Sequence, residues 1–259
     1  MADYALYLLG PPLLKSNAVP VVIGRRKALA LLSYLVVTEK SHSRDALAAL
    51  FWPNHGQSKA RANLRRSLFD LNQVLGKGLI AAERETVHFR NARDLWVDIR
   101  EFRRLAKICE THDHPAEEIC TECVSLLGRA AELYRNDFLF GFNLPDCRNF
   151  DEWHFLEAEK LRDELALVLR RLVRGQSELG SYEQAIPYAR RLLALDPTEE
   201  SAHRELMRLY ALSGQQAAAL RQYRECVRVL EEELSVEPEE ETEALCQQIK
   251  DKRLTASNG

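Results

Sequence analysis

Apolar positions along the chain follow two rhythms. Near the start, Tyr4, Leu6 and Leu8 alternate with other residues and Val19 to Ile23 is a largely β-branched run, so both stretches read as strands. Gly10-Pro11-Pro12 and Gly24 punctuate them. From Arg25 to Thr38 the period lengthens, with Leu29, Leu32, Leu35 and Val36 recurring at helical spacing. Ser43 suits the N-cap of a second helix over 44–50, which stops before Trp52-Pro53. A third helix is expected from Gln57 to Leu75, closed by Gly76. Two short strands, 79–82 and 86–89, then form a hairpin around Glu83-Arg84-Glu85.

Beyond Ile99 the helical rhythm persists, with helices expected over 102–110, 116–134 and 152–179. Between the last two lies an aromatic-rich crossing loop, 137–150, that carries Gly141 and Pro145. The remainder repeats at a period of 34: Gly180 with Gly214, Ala185 with Ala219, Leu172 with Leu206. Small residues at helix crossings with this period are the tetratricopeptide signature. Pro197 is answered by Pro238 at a longer spacing of 41, so the last helix of the pattern, 218–234, is extended by about two turns. The expected fold is mainly α: an α+β winged helix-turn-helix over 1–98, an all-α tetratricopeptide-like region over 99–253, and a soft tail over 254–259.

The third helix carries the chemistry. At 100° per residue, Ala60, Leu64, Leu68, Leu71 and Leu75 fall within about 40° of one line, a core stripe. Lys59, Ala62, Arg65, Arg66 and Gln73 face the other way, flanked by Arg61, Asn63 and Asn72. Arg and Asn reach base edges bidentately, Lys and Arg hold phosphates, and a small Ala62 allows close approach to a groove. A basic helix is also what an ordinary solvated face looks like. The order of elements separates the two readings: a short helix, a loop, a basic helix and a hairpin is the order of a winged helix-turn-helix, whose third helix enters the major groove. Arg25, Arg26, Arg44 and Arg61 then stand as phosphate contacts and Arg84 as the wing contact.

Charge agrees with this division. Residues 1–100 hold 15 Lys and Arg against 8 Asp and Glu, a net of +7, while the rest hold 21 against 31, a net of −10, giving −3 for the 259-residue chain. A basic front joined to an acidic rear suggests a polyanion-binding module attached to something else. No apolar run approaches the roughly 18 residues of a membrane span. Asp3 stands where a signal peptide would carry positive charge, so the expected location is the cytoplasm.

Several stretches together resemble the SARP-type regulators: Gly24-Arg25-Arg26-Lys27-Ala28-Leu29, Leu50-Phe51-Trp52-Pro53, Ala60-Arg61-Ala62-Asn63-Leu64-Arg65-Arg66, Leu95-Trp96-Val97-Asp98, Tyr134-Arg135-Asn136-Asp137-Phe138, Trp153 and Glu232-Glu233-Leu234-Ser235-Val236-Glu237-Pro238. These bacterial activators join a response-regulator-type winged helix to a bacterial transcriptional activator domain of tetratricopeptide-like helices. The resemblance covers about 5–249. It implies binding to direct repeats of double-stranded promoter DNA and recruitment of RNA polymerase. The oligomeric state stays open, though direct repeats would suit a homodimer with its two protomers head to tail. It also implies a polymerase-contact loop, here Trp52, Pro53, Asn54 and His55, in which Trp52 reads better as a core anchor. Many relatives continue into an ATPase or sensor domain, so the chain is also readable as a fragment of a longer signalling protein. The rival reading is a tetratricopeptide scaffold whose helical surface holds a protein or effector domain.

All six cysteines follow residue 100. Cys109-x2-His112 and Cys120-x2-Cys123 each place two N/S ligands on one helical face, and a turn at His114-Pro115 would bring the pairs together around a structural Zn²⁺. His114 is an alternative to His112. The competing reading is a pair of apolar-like cysteines in a helix interface. No other cofactor is required. No phosphate-binding glycine loop, Gly-x-Ser-x-Gly elbow or His-Glu-x-x-His pair occurs, so the expected protein is not an enzyme.

Overall fold

The structure is a computed structural model that describes residues 3–76, 78–90, 94–109 and 119–254. Contacts divide the chain into two compact units: Met1–Arg104 with Glu132–Leu161, and Leu105–Ala131 with Arg162–Gly259. This division differs from a single boundary at 98/99. The aromatic segment after residue 132 folds back onto the first unit, a long-range choice that no local periodicity encodes.

In the first unit, β1 (Tyr4–Tyr7), β2 (Leu13–Ser16) and β3 (Val19–Val21) run antiparallel in order. β1 is also paired in parallel with β7 (Leu95–Val97), in the register Tyr4 to Leu95 and Leu6 to Val97. Three helices follow the opening strands: α1 (Arg26–Thr38), α2 (Arg44–Phe51) and α3 (Gln57–Leu75). A second small sheet, in the order β4 (His42–Ser43), β6 (Thr86–Phe89), β5 (Ile80–Ala82), supplies the hairpin. The expected strands, three helices and hairpin are thus present; β2, β4 and β7 are additions. None of the three had an alternating apolar signature long enough to read.

Local chemistry fixes the ends of the helices. The Ser43 hydroxyl accepts from the Ala46 N–H at 3.1 Å, the N-cap bond of α2. α3 stops at Gly76, whose φ of +78° favours a residue without Cβ. Along α3, Ala60, Leu64, Leu68, Leu71 and Leu75 are all buried, as the stripe predicts.

α4 (Asp98–Ile108) starts on a buried carboxylate. Asp98 accepts from the Leu8 N–H at 2.8 and 2.9 Å, from Leu9 at 2.9 Å and from Ile99 at 2.9 Å, with Arg135 at 3.6 Å. The returning segment follows that arginine: Leu139 N–H donates to the Leu8 carbonyl at 2.9 Å, and Gly10 N–H to Asp137 at 3.1 Å. Phe150 stacks 5.5 Å from Phe51 and 5.4 Å from Trp153, which lies 4.8 Å from Tyr34. Edge and tilted ring pairs of this kind add to the area they bury.

The second unit contains α5 (Thr121–Leu133), α7 (Tyr182–Leu195), α8 (Glu200–Leu212), α9 (Gln216–Val229) and α10 (Glu240–Lys250). α6 (Arg148–Glu178) gives its first half to the first unit and its second half to this one. α9 continues through one widened π turn, Leu230–Leu234, which is the extension that the proline spacing predicts. Ala185 and Ala219 are fully buried at successive helix crossings, and Leu172 and Leu206 are buried with them. Gly175 on α6 is required for close approach: a Cβ there would lie 2.7 Å from Ile119 and 2.8 Å from Val124. Among the described residues, no helix is long and apolar enough to cross a membrane.

Two stability predictions follow from these contacts. Asp98→Asn turns an amide NH₂ toward backbone donors and should lower the unfolding free energy by on the order of 3 kcal/mol at pH 7, read by urea denaturation. Burial pushes the Asp98 carboxyl up to about 6, against the pull of the three N–H groups and Arg135. The folded chain therefore holds this proton more tightly than the unfolded one, so its contribution to stability grows as pH falls from about 6 toward about 4 and is lost as pH rises through 6. The Asn variant should lack that gain. Gly175→Ala should also destabilise, by about 1–3 kcal/mol; an unchanged urea midpoint would mean that Ile119 and Val124 move aside freely.

Candidate nucleic-acid interface

The face of α3 opposite its buried stripe exposes Lys59, Ala62, Arg65 and Arg66, with Gln73 further along. Arg61 and Asn63 sit half-buried at its edges. Among the described residues, Lys59, Arg65 and Arg66 form no ion pair. Three cations with no protein anion to neutralise them are available to a polyanion.

The other basic residues assigned to DNA have partners within the first unit. Arg61 grips Asp45 of α2 through both carboxylate oxygens, 2.6 Å from Oδ2, and stands 3.9 Å from Glu85. Its hydrogen bond holds the Asp45 carboxyl below the ordinary range. Arg25 pairs with Asp70 at 2.7 Å. The Arg26 guanidinium donates to the Asn143 carbonyl at 2.9 Å and lies 4.8 Å from the Phe142 ring. Arg44 Nε donates to the Glu83 carbonyl at 2.8 Å, bracing the hairpin against α2. Arg84, at the hairpin tip, is almost fully exposed and 3.8 Å from Glu85. Of the residues assigned to phosphates, Arg25, Arg26, Arg44 and Arg61 therefore all have internal partners. Spacing alone could not reveal these, because Asn143 and Asp70 are distant in sequence.

The loop between α2 and α3 divides cleanly. Trp52 is buried, with the Lys27 ammonium 5.6 Å from its ring centre, while Lys27 donates to the Phe51 carbonyl at 2.6 Å. Trp52 is thus a core anchor, and Pro53 and Asn54 are the exposed part of the loop. His55 is half-buried, and its Nδ1 is enclosed without a hydrogen-bond partner among the described residues. It borders a cavity of about 460 Å³ lined also by Arg25, Arg26, Lys27, Asn63 and Pro145.

Phe69 was not singled out by the sequence reading. It is 61% exposed on α3, between Arg65 and Arg66 on one side and Gln73 on the other. The signal for it was present: its helical angle falls in the middle of the polar face, where a large aromatic has no core to enter.

In the second unit, Cys109, Cys120 and Cys123 are brought together, whereas His112 and His114 lie outside the described residues. Burial and hydrogen bonds with the other two thiols push Cys123 up to about 12. None of the six cysteines, all among the described residues, is in a disulfide.

The family profile described as bacterial transcriptional activator domain matches residues 97–250. Transcriptional regulatory protein MoaR1 of Mycobacterium tuberculosis is 28% identical over 256 residues, which cover 93% of this chain and 78% of that protein. Regulatory protein AfsR of Streptomyces coelicolor is 26% identical over 247 residues, covering 93% of this chain and 24% of AfsR. Among solved structures, Mycobacterium tuberculosis EmbR in complex with a low affinity phosphopeptide has the same fold, with a TM-score of 0.71 at 21% identity over 97% of this chain and 66% of that one.

Proposed function

The chain belongs to the bacterial transcriptional activator domain family, a SARP-type regulator by its relatives, and from that premise we propose that it activates transcription by laying α3 in the major groove of promoter DNA. The observation that carries this reading is the unneutralised row Lys59, Arg65 and Arg66 on the outer face of a helix whose inner face is locked into the core. Arg65, Arg66 and Asn63 read base edges, Ala62 lets the helix sit deep, and Lys59 holds backbone phosphate. Phe69 is placed to lie against a thymine methyl group. Arg84 reaches flanking backbone from the hairpin tip.

Arg61, Arg44, Arg25 and Arg26 act one step back. Arg61 spends its fork on Asp45, so it fixes the angle between α2 and α3 more than it binds DNA. Exposed Pro53 and Asn54 are the surface offered to RNA polymerase. Two chains, head to tail on direct repeats, would each present one α3.

The scaffold reading has its own observation, a cavity of about 320 Å³ within the second unit bordered by Arg170, Val173, Leu192 and Ala202. It is apolar along one side and carries the Arg170–Glu199 ion pair at 2.8 Å. A regulatory segment docked there would act in addition to DNA binding.

The test is fluorescence anisotropy of the full chain on duplex DNA across a salt series. Binding should weaken steeply with salt, because each neutralised phosphate releases counterions. Arg66→Ala should cost about 1–3 kcal/mol on a selected site if Arg66 reads a base. Arg61→Ala should cost less and leave the salt slope nearly unchanged. Binding that is absent at low salt, or indifferent to Arg66→Ala, would remove α3 from the interface.

A further inference from the structure

Among the described residues no group of three His, Cys, Asp or Glu side chains is placed to hold a metal ion, Cys109, Cys120 and Cys123 included. An anion has a better-built place, the cavity of about 460 Å³ in the first unit. Arg25, Arg26 and Lys27, consecutive at the N-terminal end of α1, all border it. No carboxylate is among its described lining residues. Asp70, paired with Arg25, offsets one of these charges.

Each cation keeps donors to spare. Arg25 meets Asp70 through Nε, Arg26 uses a terminal nitrogen on Asn143, and Lys27 donates one bond to the Phe51 carbonyl. α1 has no side-chain cap and no acid in its first turn, so the positive end of its dipole adds to the cations rather than being offset. Two polar groups on the wall are orphaned. Ser67 of α3 is 2% exposed, borders the cavity, and its hydroxyl makes no hydrogen bond among the described residues. His55 Nδ1 is enclosed and likewise without a partner there. Buried polar groups almost always bond, so two orphans on one wall point to an occupant that accepts hydrogen bonds. Trp52, Leu144 and Pro145 make the cavity apolar on another side.

We propose that this cavity binds a small phosphate monoester, its dianion held by Arg26, Lys27 and Ser67 and its organic part against Trp52, Leu144 and Pro145. Phosphate suits these donors better than a carboxylate, because it offers more charge and more acceptor oxygens to a converging set of cations. The volume is that of a small-molecule site, with room for an organic group beyond the phosphate. The occupant joins α1 to the α2–α3 loop and to the returning segment. It therefore bears on the Pro53 and Asn54 surface and not on the outer face of α3.

The experiment is isothermal titration calorimetry of the full chain with phenyl phosphate at about pH 8, where the monoester is a dianion. The expected result is saturable binding at one equivalent per chain, with benzoate bound far more weakly at matched ionic strength. Arg26→Gln, at an exposed position that folding tolerates, should weaken binding about tenfold or more. Ser67→Ala, which suits a buried helical position, should weaken it about fivefold. Arg66→Ala, on the outer face of α3, should bind phenyl phosphate as the parent does, which separates this site from the DNA reading. Absence of saturable binding, or Arg26→Gln and Ser67→Ala variants that bind like the parent, would overturn the proposal. Displacement of phenyl phosphate by duplex DNA would assign the phosphate to the DNA backbone and overturn the small-molecule site.

Discussion

The carboxylate of Asp98 lies fully buried, and the N–H groups of Leu8, Leu9 and Ile99 all point at it. It marks the place where the chain, having left β1 and passed through three helices and a hairpin, returns beside its own start. The parallel pairing of β1 with β7 places this acid, and the acid satisfies the donors that β1 leaves unpaired as it ends. Arg135 then approaches the same carboxylate from the segment that follows residue 132. One buried charge thereby joins two stretches that sequence separation would otherwise leave independent, and its partners offset its desolvation only in part even when all are in place.

That closure decides which basic residues are free. Once residues 138–145 are held against the first unit, Asn143 and Phe142 take up the Arg26 side chain. Asp70 takes Arg25, and Asp45 takes Arg61. Of the basic residues on α3, Lys59, Arg65 and Arg66 remain as a narrow row, on a helix that cannot rotate because five of its apolar residues are buried. A small, rigid and uncompensated patch suits recognition better than a broad cloud of mobile charge, because little ordering is needed on contact.

The sequence made some of this legible and hid the rest for physical reasons. The stripe Ala60, Leu64, Leu68, Leu71, Leu75 and the 34-residue period through Ala185 and Ala219 are local patterns, and local periodicity is what a single sequence displays. The polar face of α3 followed directly from the stripe. The partners of Arg25 and Arg26, the strand β7 and the return of residues 132–161 all depend on pairs far apart in the chain, which leave no periodic trace. Trp52 shows the intermediate case: its size argued for the core, and the structure buries it under Lys27. The cysteine spacing was visible from the start, and the structure adds that Cys109 reaches the Cys120–Cys123 pair from the neighbouring helix.

The central claim is that α3 reads DNA from the major groove, and methylation interference tests it most directly. A duplex selected for binding is methylated sparsely at guanine N7, which lies in the major groove, and at adenine N3, which lies in the minor groove. Bound and free fractions are then compared. The account predicts that guanine N7 methylation within each repeat blocks binding, and that Arg66→Ala abolishes the block at the guanine it contacts. Interference confined to adenine N3, or none at guanines while binding persists, would contradict it.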